Sequence, residues 1–227
     1  MNTWEQPTVK ALAKALGDTP REIRSNFEAL VYGGLRFWSD SITVRACCDF
    51  TTALDADVRQ SCPVLPPENL FRLYREAVKA CPPWADVLCA VHARVLAAKG
   101  GEGLGQFFTP EDAARLCGKL AVSYMKRHRI CATGPITIHE PTVGAGGLLL
   151  AQMSALGKDA HRCVIDAWDI DPLCCAMTAL QFVANAVEHG QTIAALVVRE
   201  GDVLTLKHKT FWVGVRGLAR VMNEEAA

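Results

Sequence analysis

The sequence predicts an α/β protein in which a parallel sheet follows a helical N-terminal lobe. Up to about Lys99, apolar residues recur at helical spacing, whereas after residue 105 short apolar runs alternate with helical segments. The order strand, helix, strand, helix, strand is typical of parallel sheets with right-handed crossovers. We therefore divide the chain into a helical lobe, residues 1–99, and a sheet domain, residues 100–227.

The composition excludes several classes of protein. The 227 residues include 24 basic and 24 acidic side chains, so no overall charge attracts nucleic acid or an anionic membrane. No apolar run reaches the roughly 20 residues that span a bilayer, and the segment MNTWEQPTVK lacks a signal-peptide core. The ten cysteines show no metal-binding spacing. We expect a soluble cytoplasmic protein with buried thiols, no membrane segment and no metal site.

Four helices are predicted in the N-terminal lobe, and turn-forming residues separate them. Gly17 ends the first helix, Gly33 and Gly34 weaken the second, and the prolines before Trp84 open the last. The turn-rich segment CPVLPPEN lies between the second helix and the third. The predicted helices cover residues 8–16, 20–35, 68–80 and 82–98.

In the sheet domain, the segment GGEGLG predicts a hinge. Thr109 and Pro110, followed by two acids, predict the start of a helix that ends near Lys126. Three strands follow, with a helix after each of the first two. The strands are ITIHE, CVIDAWDI and TIAALVVREG, and the helices are GGLLLAQMSAL and PLCCAMTALQFVANAVEHG. Residues 211–216, FWVGVR, predict a fourth strand.

Four segments fall at or near the carboxyl ends of these strands, where parallel sheets bind ligands. In the loop 140–147, EPTVGAGG, the glycines allow the backbone to approach a ligand closely. Asp169 ends the second strand, where an acid can accept hydrogen bonds from ribose hydroxyls. Asp202 ends the third strand, where a carboxylate can accept from an adenine amine. The segment 105–110, GQFFTP, can close over the site from the helical lobe.

Each segment alone also suits an ordinary structural role. A lone Gly-x-Gly loop is more often a plain turn, Asp169 suits a helix cap, and Gly201 with Asp202 suits a turn. The paired phenylalanines alone suit the core. Leu149 stands where the third glycine of a dinucleotide fingerprint belongs, so NAD and FAD are disfavoured. The functional interpretation therefore depends on the order and spacing of all four segments together.

In their order, these segments resemble those of adenine-specific DNA methyltransferases of the exocyclic-amine type. The resemblance is greatest to the modification subunit of type I restriction-modification systems and covers about residues 84–206. It implies a partial class I, Rossmann-like methyltransferase sheet with S-adenosyl-L-methionine as cofactor. Phe107, Phe108 and Thr109 would lie near the methionine moiety. Asp169 would contact the ribose, and Asp202 would contact the adenine. The implied cofactor-binding residues are Phe107, Phe108, Thr109, Glu140, Pro141, Gly144, Gly146, Asp169 and Asp202.

The chain departs from the family pattern at the catalytic tetrad. The family holds the flipped adenine with an Asn/Asp-Pro-Pro-aromatic tetrad after the fourth strand, where this sequence has GLAR from Gly217. The segment 81–84, CPPW, resembles a relocated tetrad, but it follows a predicted helix, and the thiol of Cys81 accepts poorly from an amine. The resemblance therefore implies no catalytic residue in this chain, and we expect it to be inactive in isolation, as a pseudoenzyme.

We expect a non-catalytic relative of the modification subunit that binds S-adenosylmethionine and acts through partners of a restriction-modification or related DNA-modification assembly. One alternative is a split methyltransferase whose tetrad comes from another chain, or a complete one that uses Cys81 to Trp84. Another is a decayed fragment with a vestigial cofactor pocket. The last is a methyltransferase that acts on something other than DNA.

Partners are predicted from the end of the sheet. The family sheet continues for three more strands, so the fourth strand is expected to be an unpaired edge that joins a second copy, another chain or the tail VMNEEAA. This predicts a homodimer or hetero-complex through the C-terminal strand. DNA binding has only the weak support of the basic residues 126–129, which also suit a helix C-terminus.

Overall fold

The structure is a computed structural model that describes residues 2–40, 50–95, 108–130 and 132–216. The hinge GGEGLG, Phe107 and the segment from Gly217 that replaces the tetrad lie outside these residues. The described residues form helices and a five-stranded mixed sheet. This confirms the predicted α/β class and is compatible with a Rossmann-like fold.

The predicted helices of the N-terminal lobe are present, with one short addition, α3. The expectation that the prolines before Trp84 open the last helix is wrong, because that helix begins at Val87. Helix α2 continues through Gly33 and Gly34, although glycine weakens a helix. Other segments of the same protein pack closely against the helix at these two positions. A Cβ on Gly33 would lie 2.8 Å from the Cα of Pro66. These glycines therefore allow close packing. The helices are α1 (Pro7–Ala15), α2 (Pro20–Asp40), α3 (Ala56–Ser61), α4 (Glu68–Ala80) and α5 (Val87–Val95).

A strand also belongs to the N-terminal lobe, which corrects the expectation of an entirely helical lobe. Strand β1 (Phe50–Leu54) pairs antiparallel with the C-terminal strand (Lys207–Arg216), so that Leu54 lies opposite Trp212. The sequence does not predict β1 because a five-residue strand is stabilised by its distant partner, and strand propensity alone is a weak signal.

The centre of the sheet agrees with the prediction of three parallel strands joined by helices. The strands are β2 (Ile136–Glu140), β3 (Cys163–Asp169) and β4 (Ala195–Asp202). The helices before and between them are α6 (Glu111–Arg127), α7 (Gly147–Leu156) and α8 (Pro172–His189). The full strand order is β1-β5-β4-β3-β2, where β5 is the C-terminal strand. The carboxyl ends of β2, β3 and β4 therefore lie at the same end of the sheet.

Strand β5 (Lys207–Arg216) runs antiparallel to β4, whereas the sequence predicts a parallel fourth strand. A turn at residues 203–206 reverses the chain, and Asp202 pairs with Lys207. Because β5 lies between β4 and β1, the expectation that it is an unpaired edge is wrong. The edges of the described sheet are β1 and β2. Trp212 is fully buried and donates to the hydroxyl of Ser39 at 3.1 Å, so the N-terminal lobe covers this strand.

One hydrophobic core connects the helical lobe with the sheet. Helix α8 lies within it, and its residues from Cys174 to Ala186 are all buried. The polar side chain of Asn185 is satisfied there because its oxygen accepts from the backbone amide of Trp84 at 2.6 Å. The domain boundary predicted near residue 100 lies outside the described residues. The two segments that it separates share this core and one sheet.

Candidate functional site

The loop after β2 forms the tight turn that its glycines predict. Gly144 and Gly146 have φ angles of 56° and 89°, a region that residues with side chains rarely adopt. The amide of Val143 donates to the carbonyl of Trp168 at 2.8 Å, and the amide of Gly146 donates to the carbonyl of Val143 at 2.9 Å. Helix α7 begins immediately afterwards. The turn is therefore attached to the end of β3.

Asp169, at the end of β3, contacts this turn through its carboxylate. One oxygen accepts from the amide of Gly144 at 2.8 Å, and the other accepts from the amide of Asp171 at 2.9 Å. Burial raises the pKa of Asp169 above its ordinary value, although these amide donors act against the rise. A carboxylate has about four lone-pair sites, so it can still accept from a ligand hydroxyl. The predicted ribose acid and the glycine turn are thus in direct contact.

Phe108 packs against the same turn. A Cβ on Gly144 would lie 3.2 Å from the ring of Phe108, so this glycine gives the ring its space. The ring of His92, on α5, contacts Phe108 edge to face with centroids 4.8 Å apart. Burial lowers the pKa of His92, and its Nδ1 has no hydrogen-bond partner in the described part of the chain. His92 of the helical lobe therefore contacts Phe108, which in turn contacts the glycine turn.

The other predicted residues near the turn make fewer contacts. Thr109 is exposed immediately before α6, and Pro141 is exposed at the start of the loop. The carboxylate of Glu140 accepts from the amide of Thr142 at 3.4 Å. Phe107 lies outside the described residues. The roles of these four positions in cofactor binding stay predictions, as do those of the other predicted residues.

Asp202 lies in a different environment from Asp169. It ends β4 at the hairpin, where its carboxylate accepts from the amide of Leu204 at 2.8 Å. In the pairing of β3 with β4, the residue opposite Asp169 is Glu200. The carboxylate of Glu200 forms an ion pair with Lys209 at 3.2 Å. The strand neighbour of the predicted ribose acid is therefore Glu200, and Asp202 has the local contact of an ordinary turn.

Side chains that no sequence motif indicates also hold the glycine turn. The hydroxyl of Thr178 donates to the carbonyl of Gly144 at 2.9 Å. The amide group of Gln181 donates to the carbonyl of Ala145 and to the carboxylate of Asp86, both at 2.8 Å. Gln181 is 1% exposed, so these bonds are shielded from water. It connects the turn to the start of α5.

Asp86 brings a carboxylate to the start of α7. One of its oxygens would lie 2.6 Å from a Cβ on Gly147, and the other accepts from the amide of Cys89 at 3.1 Å and so caps α5. Burial raises the pKa of Asp86 to about 6, and the hydrogen bond from Gln181 acts against the rise. An acid three residues before a helical amide is a capping signal in the sequence. The proximity of Asp86 to Gly147 has no signal in the sequence, because it depends on how the helices pack.

The segment 81–84, which resembles a relocated tetrad, lies in the core. Cys81 ends α4 and Trp84 precedes α5, and they are 4% and 5% exposed. Trp84 has a φ of 67°, which is rare for a bulky residue, and its ring packs against Phe182 with centroids 5.5 Å apart. Neither side chain is accessible to a flipped base. The segment is a buried turn between two helices.

Five of the seven described cysteines are buried. Cys174 and Cys175 are buried as predicted, and burial raises the pKa of both thiols. Cys117 on α6 is exposed, which differs from the expectation for the cysteines as a group. The described residues contain no group of three or more potential metal ligands. Their helices also include none that is both long and apolar enough to cross a bilayer.

The site brings together a glycine turn, an acceptor carboxylate and an aromatic ring. A scan against protein-family models, a search of curated proteins and a search of solved structures found no match.

Proposed function

We propose that this chain binds S-adenosyl-L-methionine at the loop after β2. We also propose that it acts by binding partners of a restriction-modification or related DNA-modification assembly, in the cytoplasm, without transferring the methyl group itself. The observation that carries the proposal is the contact of two predicted residues with one glycine. Asp169 accepts from the amide of Gly144, and the ring of Phe108 lies 3.2 Å from where a Cβ on Gly144 would be. Both belong to segments whose order resembles that of the adenine methyltransferases.

The residues around the turn suit different parts of this cofactor. The glycines allow close approach of the backbone, and the carboxylate of Asp169 suits the ribose hydroxyls. Phe108 and Thr109 suit the methionine moiety. Asp202 uses one oxygen for the turn amide, which leaves the other for an adenine amine. When bound, the cofactor supplies an electrophilic methyl group, and this chain's residues hold and orient it.

Inactivity of the isolated chain is inferred from the tetrad. The sequence contains no Asn/Asp-Pro-Pro-aromatic segment, and the burial of Cys81 and Trp84 argues against a substitute from the helical lobe. Because β5 is antiparallel to β4, it ends at the opposite end of the sheet from Asp169 and not beside the loop, as the family's fourth strand would. The second candidate function is a split methyltransferase whose tetrad comes from another chain. It is favoured by the position of β2, which forms an edge of the described sheet where another chain can add a strand.

Calorimetric titration of the full chain with S-adenosylmethionine tests the cofactor. We expect binding, and Asp169→Ala should weaken it by roughly 1.5 to 3 kcal/mol, the loss of a charged acceptor. Asp57→Ala removes an exposed carboxylate on α3 and is the matched control, which should leave the affinity unchanged. Thermal unfolding of each variant separates lost binding from lost folding. No binding by the wild-type chain at millimolar cofactor would show that the pocket is vestigial.

A methyl-transfer assay tests the inactivity. The isolated chain, incubated with tritiated cofactor and unmethylated DNA, should incorporate no label. Incorporation that disappears in Cys81→Ala or Trp84→Ala would contradict the proposal and assign the chemistry to the buried segment. Incorporation only after a second chain is added would establish the split enzyme.

A further inference from the structure

Helix α6 buries one face and leaves large apolar side chains on the other. Ala114, Gly118 and Val122 are buried, and a Cβ on Gly118 would lie 2.8 Å from the backbone of Ala151 on α7. The opposite face carries side chains that are 58%, 60% and 59% exposed, at Leu116, Leu120 and Tyr124. Residues four apart on a helix are neighbours, so these three form one continuous apolar ridge, which we call the α6 ridge.

The ends of the α6 ridge carry opposite charge. Asp112, in the first turn, has a side chain that is 81% exposed and pairs with Arg115 of the same helix. Arg127, in the last turn, is exposed, and His128 ends the helix. By helical spacing, Arg127 lies seven residues from Leu120 and therefore on the same face. The ridge is thus apolar in the middle, acidic at its start and basic at its end.

We propose that the α6 ridge is the contact between two copies of this chain, with the α6 helices antiparallel about a twofold axis at Leu120. A twofold contact uses the same surface on both copies, so the surface must complement itself. Here Leu120 meets the partner's Leu120, and Leu116 meets the partner's Tyr124. The same register brings Asp112 beside the partner's Arg127. A parallel pair would instead bring like charges together, so the charges select the antiparallel arrangement.

The size of this surface indicates a weak dimer. With the flanking exposed residues Ala113 and Cys117 of the same helix, the apolar area is on the order of 500 Å² per copy, or about 1,000 Å² for the pair. That total is at the lower limit for a specific interface, which suits association that depends on concentration. The proposal does not depend on the cofactor, since α6 makes this contact with the face opposite to α7.

Sedimentation equilibrium of the full chain without cofactor, from micromolar to several hundred micromolar, tests the proposal. The wild type should pass from monomer to dimer over this range. Leu120→Glu places two carboxylates at the axis and should weaken the dimer by at least about tenfold. The control is Leu204→Glu, which changes the same residue type at a site that is 90% exposed, in the turn before β5. It should leave the association constant unchanged.

Charge reversal tests the antiparallel register. Asp112→Arg and Arg127→Asp should each weaken the dimer severalfold, and the double variant should restore it, because the exchanged charges again face each other. A wild type that stays monomeric at several hundred micromolar would overturn the proposal. Equal effects of Leu120→Glu and Leu204→Glu would also overturn it, as would a double variant no tighter than the single ones.

Discussion

The loop after β2 and the turn after β4 combine glycine with an acid at the same end of the sheet, but they are supported differently. The loop, residues 140–147, is held by side chains from other elements of the fold, namely Phe108, Asp169, Thr178 and Gln181. The turn, residues 203–206, is held within its own hairpin, where Asp202 at the end of β4 accepts from the amide of Leu204. Leu204 itself is 90% exposed.

This difference shows what a glycine beside an acid does and does not indicate. In both segments the pair marks a point where the chain turns at the end of a strand. Side chains from distant parts of the sequence contact the loop but not the turn after β4. These contacts fix the backbone of the loop before any ligand binds. The loop is therefore the stronger candidate for a binding site. Changes to its contacts should also cost more stability than changes to the turn.

Removing the buried amide that anchors the loop should give the largest effect. Gln181→Leu leaves the amide of Leu88 and the carbonyl of Ala145 without their partner and removes a donor from Asp86. Each buried polar group left unpaired costs roughly 1 to 3 kcal/mol, so we expect a loss of at least about 3 kcal/mol in the free energy of unfolding. Urea denaturation measures this loss.

The matched control for Gln181→Leu is Gln191→Leu, which changes a half-exposed glutamine just after α8. The side chain of Gln191 makes one long contact, 3.5 Å from its amide nitrogen to the carbonyl of His189. We expect this variant to lose less than about 0.5 kcal/mol, as is usual for surface substitutions. Similar losses in the two variants would mean that the buried hydrogen bonds of Gln181 do not stabilise the loop.

The pH dependence of stability should reveal the carboxylate that supports the loop from α5. Burial raises the pKa of Asp86 to about 6 in the folded protein, against about 4 when it is unfolded. Because the folded value is the higher one, the stability that Asp86 contributes is complete below about pH 4 and is lost as the pH rises through 6. The difference of about 2 in pKa corresponds to roughly 2 to 3 kcal/mol.

The amide side chain of the Asp86→Asn variant does not ionise, so the stability of this variant should not show the same fall as the pH rises. We expect the unfolding free energy of the wild type, minus that of Asp86→Asn, to fall by roughly 2 kcal/mol between pH 4 and pH 7.5. Asp57→Asn, the same change at an exposed position on α3, is the control. A flat difference for Asp86→Asn would mean that this carboxylate is hydrated and does not support the loop.

The parts of the fold that could be predicted from sequence are those with local signals. The bounds of α4 follow from apolar spacing, and β2, β3 and β4 follow from short apolar runs with helices between them. The direction of β5 could not be predicted, because its turn lacks the Asn-Gly or Asp-Gly pair that marks a tight hairpin. The turn instead includes Leu206 with a φ of 58°. Strand β1 was missed because its stability comes from β5 and the helices around it.

The candidate site also has residues that the sequence predicts and residues that it does not. The glycine turn, Asp169 and Phe108 belong to segments whose order along the chain predicts that they meet, and they are in contact. Gln181 and Asp86 could not be identified. Gln181 lies inside a long helix with no motif around it, and Asp86 reaches Gly147 only because α5 packs beside α8. Contacts that depend on the packing of whole helices are not encoded in local spacing.

Asp202→Ala should give the smallest effect and is the most direct test of the turn. The substitution removes one partly exposed hydrogen bond to the amide of Leu204, so we expect a loss of about 0.5 to 1 kcal/mol in the free energy of unfolding. If the second carboxylate oxygen also accepts from the adenine of the cofactor, affinity for S-adenosylmethionine should fall about twofold to fivefold, far less than in Asp169→Ala. Calorimetric titration of both variants measures the loss of affinity, and urea denaturation of both measures the loss in the free energy of unfolding. Stability loss with unchanged affinity would limit Asp202 to the hairpin and leave the loop as the whole site. An affinity loss equal to that of Asp169→Ala would mean that the turn, despite its exposure, binds the ligand as strongly as the loop does.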